Sequence, residues 1–170
     1  MKKVLVAGVL VAGLACMAHA QQPLVVEVVD PEALLVGTAT FTQGPAGVTI
    51  AVEFKGLQPG EHALHLHENA ECNGWTLSSA GGHFNPASKS HGAKNANGPH
   101  AGDLGNFTVA ANGTAKATLT ATGITLAADA PNSVFAKGGT SLIIHDHADD
   151  MTTDPEGGAG ERLACAAIKK

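Results

Sequence analysis

The segment His62–Cys72, HALHLHENAEC, places three histidines within its first six residues. On a β-strand, side chains two apart share a face, so His65 and His67 point one way and His62 the other. A His-x-His pair on a strand brings two imidazoles to one metal ion without bending the backbone. Taken alone, the pattern is more often that of a structural or surface pair. Further along, GGHFNPASKSHGAKNANGPHAGDLGN (residues 81–106) carries His83, His91, His100 and Asp103 among flexible loop residues. Three imidazoles and a carboxylate make a closed tetrahedral set suited to zinc, which would pin a loop with little core of its own. Four polar residues on a solvated loop are the other reading. A third piece, SLIIHDHADD (residues 141–150), is apolar enough for a buried strand ending at His145. If His145 joins His65 and His67, the result is an imidazole-only site for copper, zinc or iron. With an open position, such a neutral set suits copper redox chemistry better than a purely structural role.

Strands must hold these groups, because helix signals are scarce. Gly47–Lys55 (GVTIAVEFK) alternates Val48, Ile50, Val52 and Phe54 with Thr49, Ala51, Glu53 and Lys55, the pattern of a half-buried strand. Similar runs are Leu24–Val29, Thr38–Thr42, His62–His67, Phe107–Ala110, Ala115–Thr120, Ser141–His145 and Ala164–Ile168. Eight short strands with Gly, Pro and Asn between them predict an all-β fold, an antiparallel sandwich or barrel. Two long irregular stretches, Glu68–Gly105 and Asp146–Arg162, interrupt the pattern. Loops of that length in a compact domain are usually functional or disordered, and the histidines favour function.

The chain of 170 residues has the length of one domain. Its first 20 residues read as an export signal: Lys2 and Lys3, the apolar run VLVAGVLVAGLACM, then Ala18-His19-Ala20 with cleavage after Ala20. The run is too short to span a bilayer comfortably, so stable membrane association is not expected. Lipidation at Cys16 is the weaker alternative, since Gly13 stands where a larger apolar residue is expected. Cleavage leaves residues 21–170 as a periplasmic or secreted domain, and losing Lys2 and Lys3 moves the formal charge from −5 to −7. No basic block is present, which argues against nucleic acid and anionic membranes. Two cysteines remain, Cys72 and Cys165, and an exported chain most simply joins them in a disulfide. Closing a loop of roughly 94 residues stabilises the fold by about 4–5 kcal/mol in the chain-entropy model.

Together these segments resemble the copper/zinc superoxide dismutases of the exported bacterial type. The matching pieces are Gly60–Glu68 (GEHALHLHE), Ser79–Pro86 (SAGGHFNP), His91-Gly92, Gly102–Asn106 (GDLGN), His145 with Asp149-Asp150, and Gly160–Cys165 (GERLAC). The resemblance spans essentially residues 24–169. It implies an eight-stranded Greek-key barrel, copper held by His65, His67, His83 and His145, and zinc held by His83, His91, His100 and Asp103. His83 would then bridge the two metals through both ring nitrogens. Asp149 would link His65 and His91 as a supporting carboxylate. Arg162 would be the cation beside the open copper position, always charged and able to donate to a bound anion. His62 would be a buried support, and Cys72–Cys165 the family's intrachain disulfide, tying the loop near the metals to the last strand.

The activity so implied converts superoxide to oxygen and hydrogen peroxide as copper alternates between Cu(II) and Cu(I), with His83 as proton donor. A non-enzymatic copper carrier on the same fold is the alternative, although such proteins tend to lack a copper ligand or the arginine. A purely structural module leaves six ordered histidines unexplained. The chain is acidic while superoxide is an anion, and the Asp146–Arg162 stretch has Asp154, Glu156 and Glu161 but no lysine. Any steering would fall to Lys89, Lys94 or Lys137. His147 matches no family ligand and is expected at an exposed rim. Trp75 either anchors an interface or covers its own loop. The short spacing from His67 to Cys72 follows the bacterial arrangement, leaving a bacterial-type homodimer or a monomer open.

Overall fold

A computed structural model describes residues 22–170. The expected export signal 1–20, its expected cleavage point and Cys16 lie outside the described residues. Eight strands follow in order: β1 (Leu24–Val29), β2 (Leu35–Gly44), β3 (Gly47–Lys55), β4 (Gly60–His67), β5 (Asp103–Val109), β6 (Thr114–Ala121), β7 (Thr140–His145) and β8 (Arg162–Ile168). All pair antiparallel in the order β5-β4-β7-β8-β1-β2-β3-β6. The two end strands, β5 and β6, lie against one another, so the sheet is a nearly closed barrel. The neighbours β3, β6, β5 and β4 form a Greek key, as expected for an all-β chain that must protect its edges.

The alternation of the strands sorts the site from the core. On β4, Leu64 and Leu66 point into the barrel and join Leu142 and Ile144 of β7 and Ala164 and Ala166 of β8. Phe41, Ile50 and Val52 complete this interior from the opposite wall. The intervening residues His65, His67, Ile143, His145 and Cys165 face outward, yet they are as buried as the core. The long connections cover them: Leu77 and Ala80 pack on Ile143 and Cys165 as a second apolar cluster. The chemistry-bearing face is therefore the outside of the barrel wall, sealed by loops.

Several strand boundaries differ from the sequence reading, three of them instructively. β2 runs from Leu35 to Gly44 rather than over Thr38–Thr42 alone. β5 begins at Asp103, four residues before the predicted start. There the register with β4 shifts between Leu64 and His65, with Gly105 opposite Leu64 and Asp103 opposite His65, so one extra residue breaks the alternation. β8 begins at Arg162, which stands opposite His145 across a similar shift. Both shifts hide the strand ends from a period-two reading, and both fall beside the histidines. Among the described residues, no helix is long and apolar enough to cross a membrane.

Candidate metal centre

β4 and β7 are hydrogen-bonded neighbours, with His65 opposite Ile143 and His67 opposite Ser141. His65, His67 and His145 thus stand on one outward face, and the rings of His65 and His145 are 4.8 Å apart. The first long loop returns to add His83, which bridges backbone to backbone with His67. Phe84 N donates to Leu66 O at 2.8 Å and Gly102 N to Phe84 O at 2.9 Å, lacing the loop to β4. A Cβ on Gly102 would collide with the Leu66 carbonyl, so only glycine permits this approach.

Two groups of four side chains converge, each with ligand atoms within 4.8 Å of one another: His65, His67, His83 and His145, and His83, His91, His100 and Asp103. His83 belongs to both. In the second group, Asp103 Oδ2 accepts from the backbone N–H of Gly92 (2.8 Å) and His100 (2.9 Å). Its other oxygen is thereby aimed at three rings: His83 Nδ1 at 2.8 Å, His100 Nδ1 at 3.1 Å and His91 Nδ1 at 3.2 Å. In the first group, His67 Nε2 and His145 Nε2 face each other at 3.4 Å.

The opposite ring nitrogens are anchored on the protein. His67 Nδ1 donates to Gly81 O (2.9 Å), and His145 Nδ1 to Gly160 O (3.4 Å). His65 Nε2 donates to Asp149 Oδ2 and His91 Nε2 to Asp149 Oδ1, both at 2.9 Å. Among the described residues, the buried side-chain N and O atoms without a hydrogen-bond partner are His65 Nδ1, His83 Nε2, His91 Nδ1 and Ser141 Oγ. Three of these four lie here, each aimed into a group. Buried polar atoms are rarely left unpaired, and neutral imidazole nitrogens held from behind are what a metal ion requires. The donor set fits copper at the all-nitrogen group and zinc at the group with a carboxylate.

The surroundings hold the site neutral where it must bind cations and charged where it must anchor. Burial, outweighing the hydrogen bond to Asp149, lowers the pKa of His65. Burial with nearby His83 lowers that of His67 well below the ordinary value, and burial with His65 brings His145 to about 3. For Asp103, burial acts upward but is outweighed by hydrogen bonds from His83 and Gly92, leaving it at about 2. Asp149 is also lowered, since donors from His65, His91 and the Met151 backbone outweigh its burial.

Arg162, the chain's only arginine, comes from the β8 position opposite His145. Its Nη1 donates to Leu77 O at 3.1 Å and its Nη2 to Glu156 Oε1 at 2.8 Å. Its charge adds, behind burial and the neighbouring rings, to the lowering of the pKa of His67 and His145. Cys72 and Cys165 form the expected disulfide, Cα–Cα 5.7 Å. It fixes the loop carrying Leu77 to β8 and so steadies the acceptor of Arg162.

His62 faces the barrel side, where its Nδ1 and Nε2 lie 2.7 and 2.8 Å from the carbonyls of His145 and Gln58. Stacking on Phe107 completes its fixation as a support. His147 is exposed at the rim, 3.8 Å from Asp146. Trp75 is 73% exposed and does not cover its own loop. Lys89, Lys94 and Lys137 are all exposed.

Sequence reasoning missed Asn106, whose side chain accepts from Asp149 N (2.8 Å) and donates to Asp149 O (2.9 Å). It also missed Asp154, which accepts from His91 N at 2.6 Å. Asn106 lies within the quoted GDLGN motif, but its role depends on a partner 43 residues away and has no local signal.

An outward-facing histidine cluster on a nearly closed Greek-key barrel, divided by one shared ring, defines a paired-metal centre. The family model for copper/zinc superoxide dismutase (SODC) matches residues 35–168, and the chain belongs to that family. A relative named superoxide dismutase [Cu-Zn] 2 from Aquifex aeolicus is 42% identical over 144 residues, 84% of either chain. The chain is similar to the solved Cu/Zn superoxide dismutase from Brucella abortus: TM-score 0.71, 28% identity, covering 87% of this chain and 100% of that one. It is similar as well to a SOD-like protein from Bacillus subtilis: TM-score 0.81, 34% identity, covering 85% and 97%.

Proposed function

We propose that residues 21–170 form an exported superoxide dismutase, with residues 1–20 directing the chain across the membrane. Copper would be held by His65, His67, His83 and His145, and zinc by His83, His91, His100 and Asp103. The observation that carries this reading is the set of buried ring nitrogens without a hydrogen-bond partner on His65, His83 and His91. Bound copper supplies one-electron exchange with superoxide, while zinc fixes the loop and the shared ring. Asp149 orients one ring of each group, and the carbonyls of Gly81 and Gly160 orient two more. Arg162 holds the anion by charge and directed N–H groups without surrendering a proton. The dismutation consumes two protons, and His83 Nε2, buried and without a protein hydrogen-bond partner, would carry one to the product at the stage when it is not a copper ligand.

The test is superoxide decay by the metal-loaded chain beside two variants. His145→Ala should lose nearly all turnover, and Arg162→Ala should slow it by about tenfold, the scale of a directed charged hydrogen bond, with copper retained. Full activity in both variants would discard the site assignment. Copper binding without any decay by the unaltered chain would instead favour the carrier reading. Recovery of protein beginning at Gln21 from the periplasm or medium checks the export signal.

A further inference from the structure

The chain's only arginine spends one of its two terminal nitrogens on a neighbouring carboxylate. Arg162 Nη2 donates to Glu156 Oε1 at 2.8 Å, and the side chains are 14% and 35% exposed respectively. Glu156 is not a loose surface acid. Gly157, the next residue, is buried at φ +67°, and a Cβ there would meet Asp149 Oδ1 and come within 2.6 Å of His91 Nε2. The Gly157 N–H donates to Thr153 O at 2.7 Å, and Ala159 N donates to Glu156 O at 3.3 Å. The carboxylate is thus carried on a turn clamped against the metal-binding side chains.

A guanidinium offers five donors in a fixed fork, and a carboxylate on one arm cancels much of the charge that an incoming anion would use. The other arm does not depend on Glu156, because Nη1 is held by the Leu77 carbonyl, on a loop fixed through the disulfide. Removing the carboxylate should therefore release charge without releasing the side chain. We propose that Glu156 is a built-in counter-anion, competing with substrate for Arg162 and setting the affinity of the copper group for small monoanions. This rests on the functional reading above. Glu156 touches neither metal nor substrate; it acts through Arg162, as a positioning residue that tunes its charge.

The experiment is azide titration of the metal-loaded protein, followed by visible absorption, in the unaltered chain, Glu156→Gln, Arg162→Ala and the double variant. Glu156→Gln should bind azide about 2- to 5-fold more tightly, the scale of a partly exposed ion pair. In the Arg162→Ala background the same change should have no effect, as a double-mutant cycle requires of a coupled pair. A second readout needs no metal: phenylglyoxal can label only one arginine, so mass spectrometry reads Arg162 directly. Its modification should be about 2- to 5-fold faster in metal-free Glu156→Gln. Unchanged or weaker azide binding in Glu156→Gln, with Arg162→Ala still weakening it, overturns the role of Glu156 alone. Azide binding indifferent to Arg162→Ala strikes the assignment of Arg162, and the functional reading with it.

Discussion

Asp149 gives one oxygen to His65 and the other to His91, and its backbone is clamped on both sides by Asn106. One carboxylate therefore fixes a ring in each metal group, and its charge strengthens both rings as donors. Asp149→Asn keeps the size but loses the charge, and one of its two polar atoms becomes a donor facing an N–H. Copper and zinc should both be released more readily, by about 10- to 100-fold in affinity, measured by competition with a chelator at fixed pH. Loss of one metal with the other unaffected would show that the two groups are not joined through this residue. Residue types and spacings alone revealed the His65–His67 pair and the candidate tetrahedral set. They could not say which nitrogen of each ring is free, because that depends on carbonyls at Gly81 and Gly160 brought in by folding.

At the level of elements, β4, β7 and β8 place apolar residues inside and functional ones outside, and the disulfide links the covering loop to β8. Cys72 and Cys165 are 93 residues apart. Cys72→Ser should lower stability by about 2–5 kcal/mol, seen as a lower denaturation midpoint with unchanged far-ultraviolet circular dichroism. An unchanged midpoint would mean that Leu77, Ala80 and Ile143 hold the loop by packing alone. The strand cores were legible, since β3 matches its predicted range from Gly47 to Lys55 and β7 all but its first residue. The starts of β5 and β8 were not, because the register shifts beside His65 and His145 insert a residue into the period. Those shifts bring Asp103 opposite His65 and Arg162 opposite His145, so what obscured the sequence reading is what assembles the site.

Across the molecule, the metal-free chain should tolerate acid poorly, and the sign follows from the shifts. His65, His67 and His145 titrate below 6.5 when folded, so unfolding lets them take up protons and stability falls as pH drops through that value. Asp103 and Asp149 titrate below 3.8 when folded and add a second loss as pH falls further. Both effects act on the acid side. Between pH 7.5 and 5 the midpoint of the chelator-treated protein should fall by about 5–10 °C, corresponding to a loss of about 2–3 kcal/mol. A flat profile would show that the rings are not held neutral. The reactive groups stand outside the wall, on residues that alternate with the apolar interior and contribute nothing to it. Scaffold and chemistry therefore answer to separate selections. A lineage whose histidines erode still inherits an intact shell, and the same shell can be refitted for another trade by rewriting its two overlying loops.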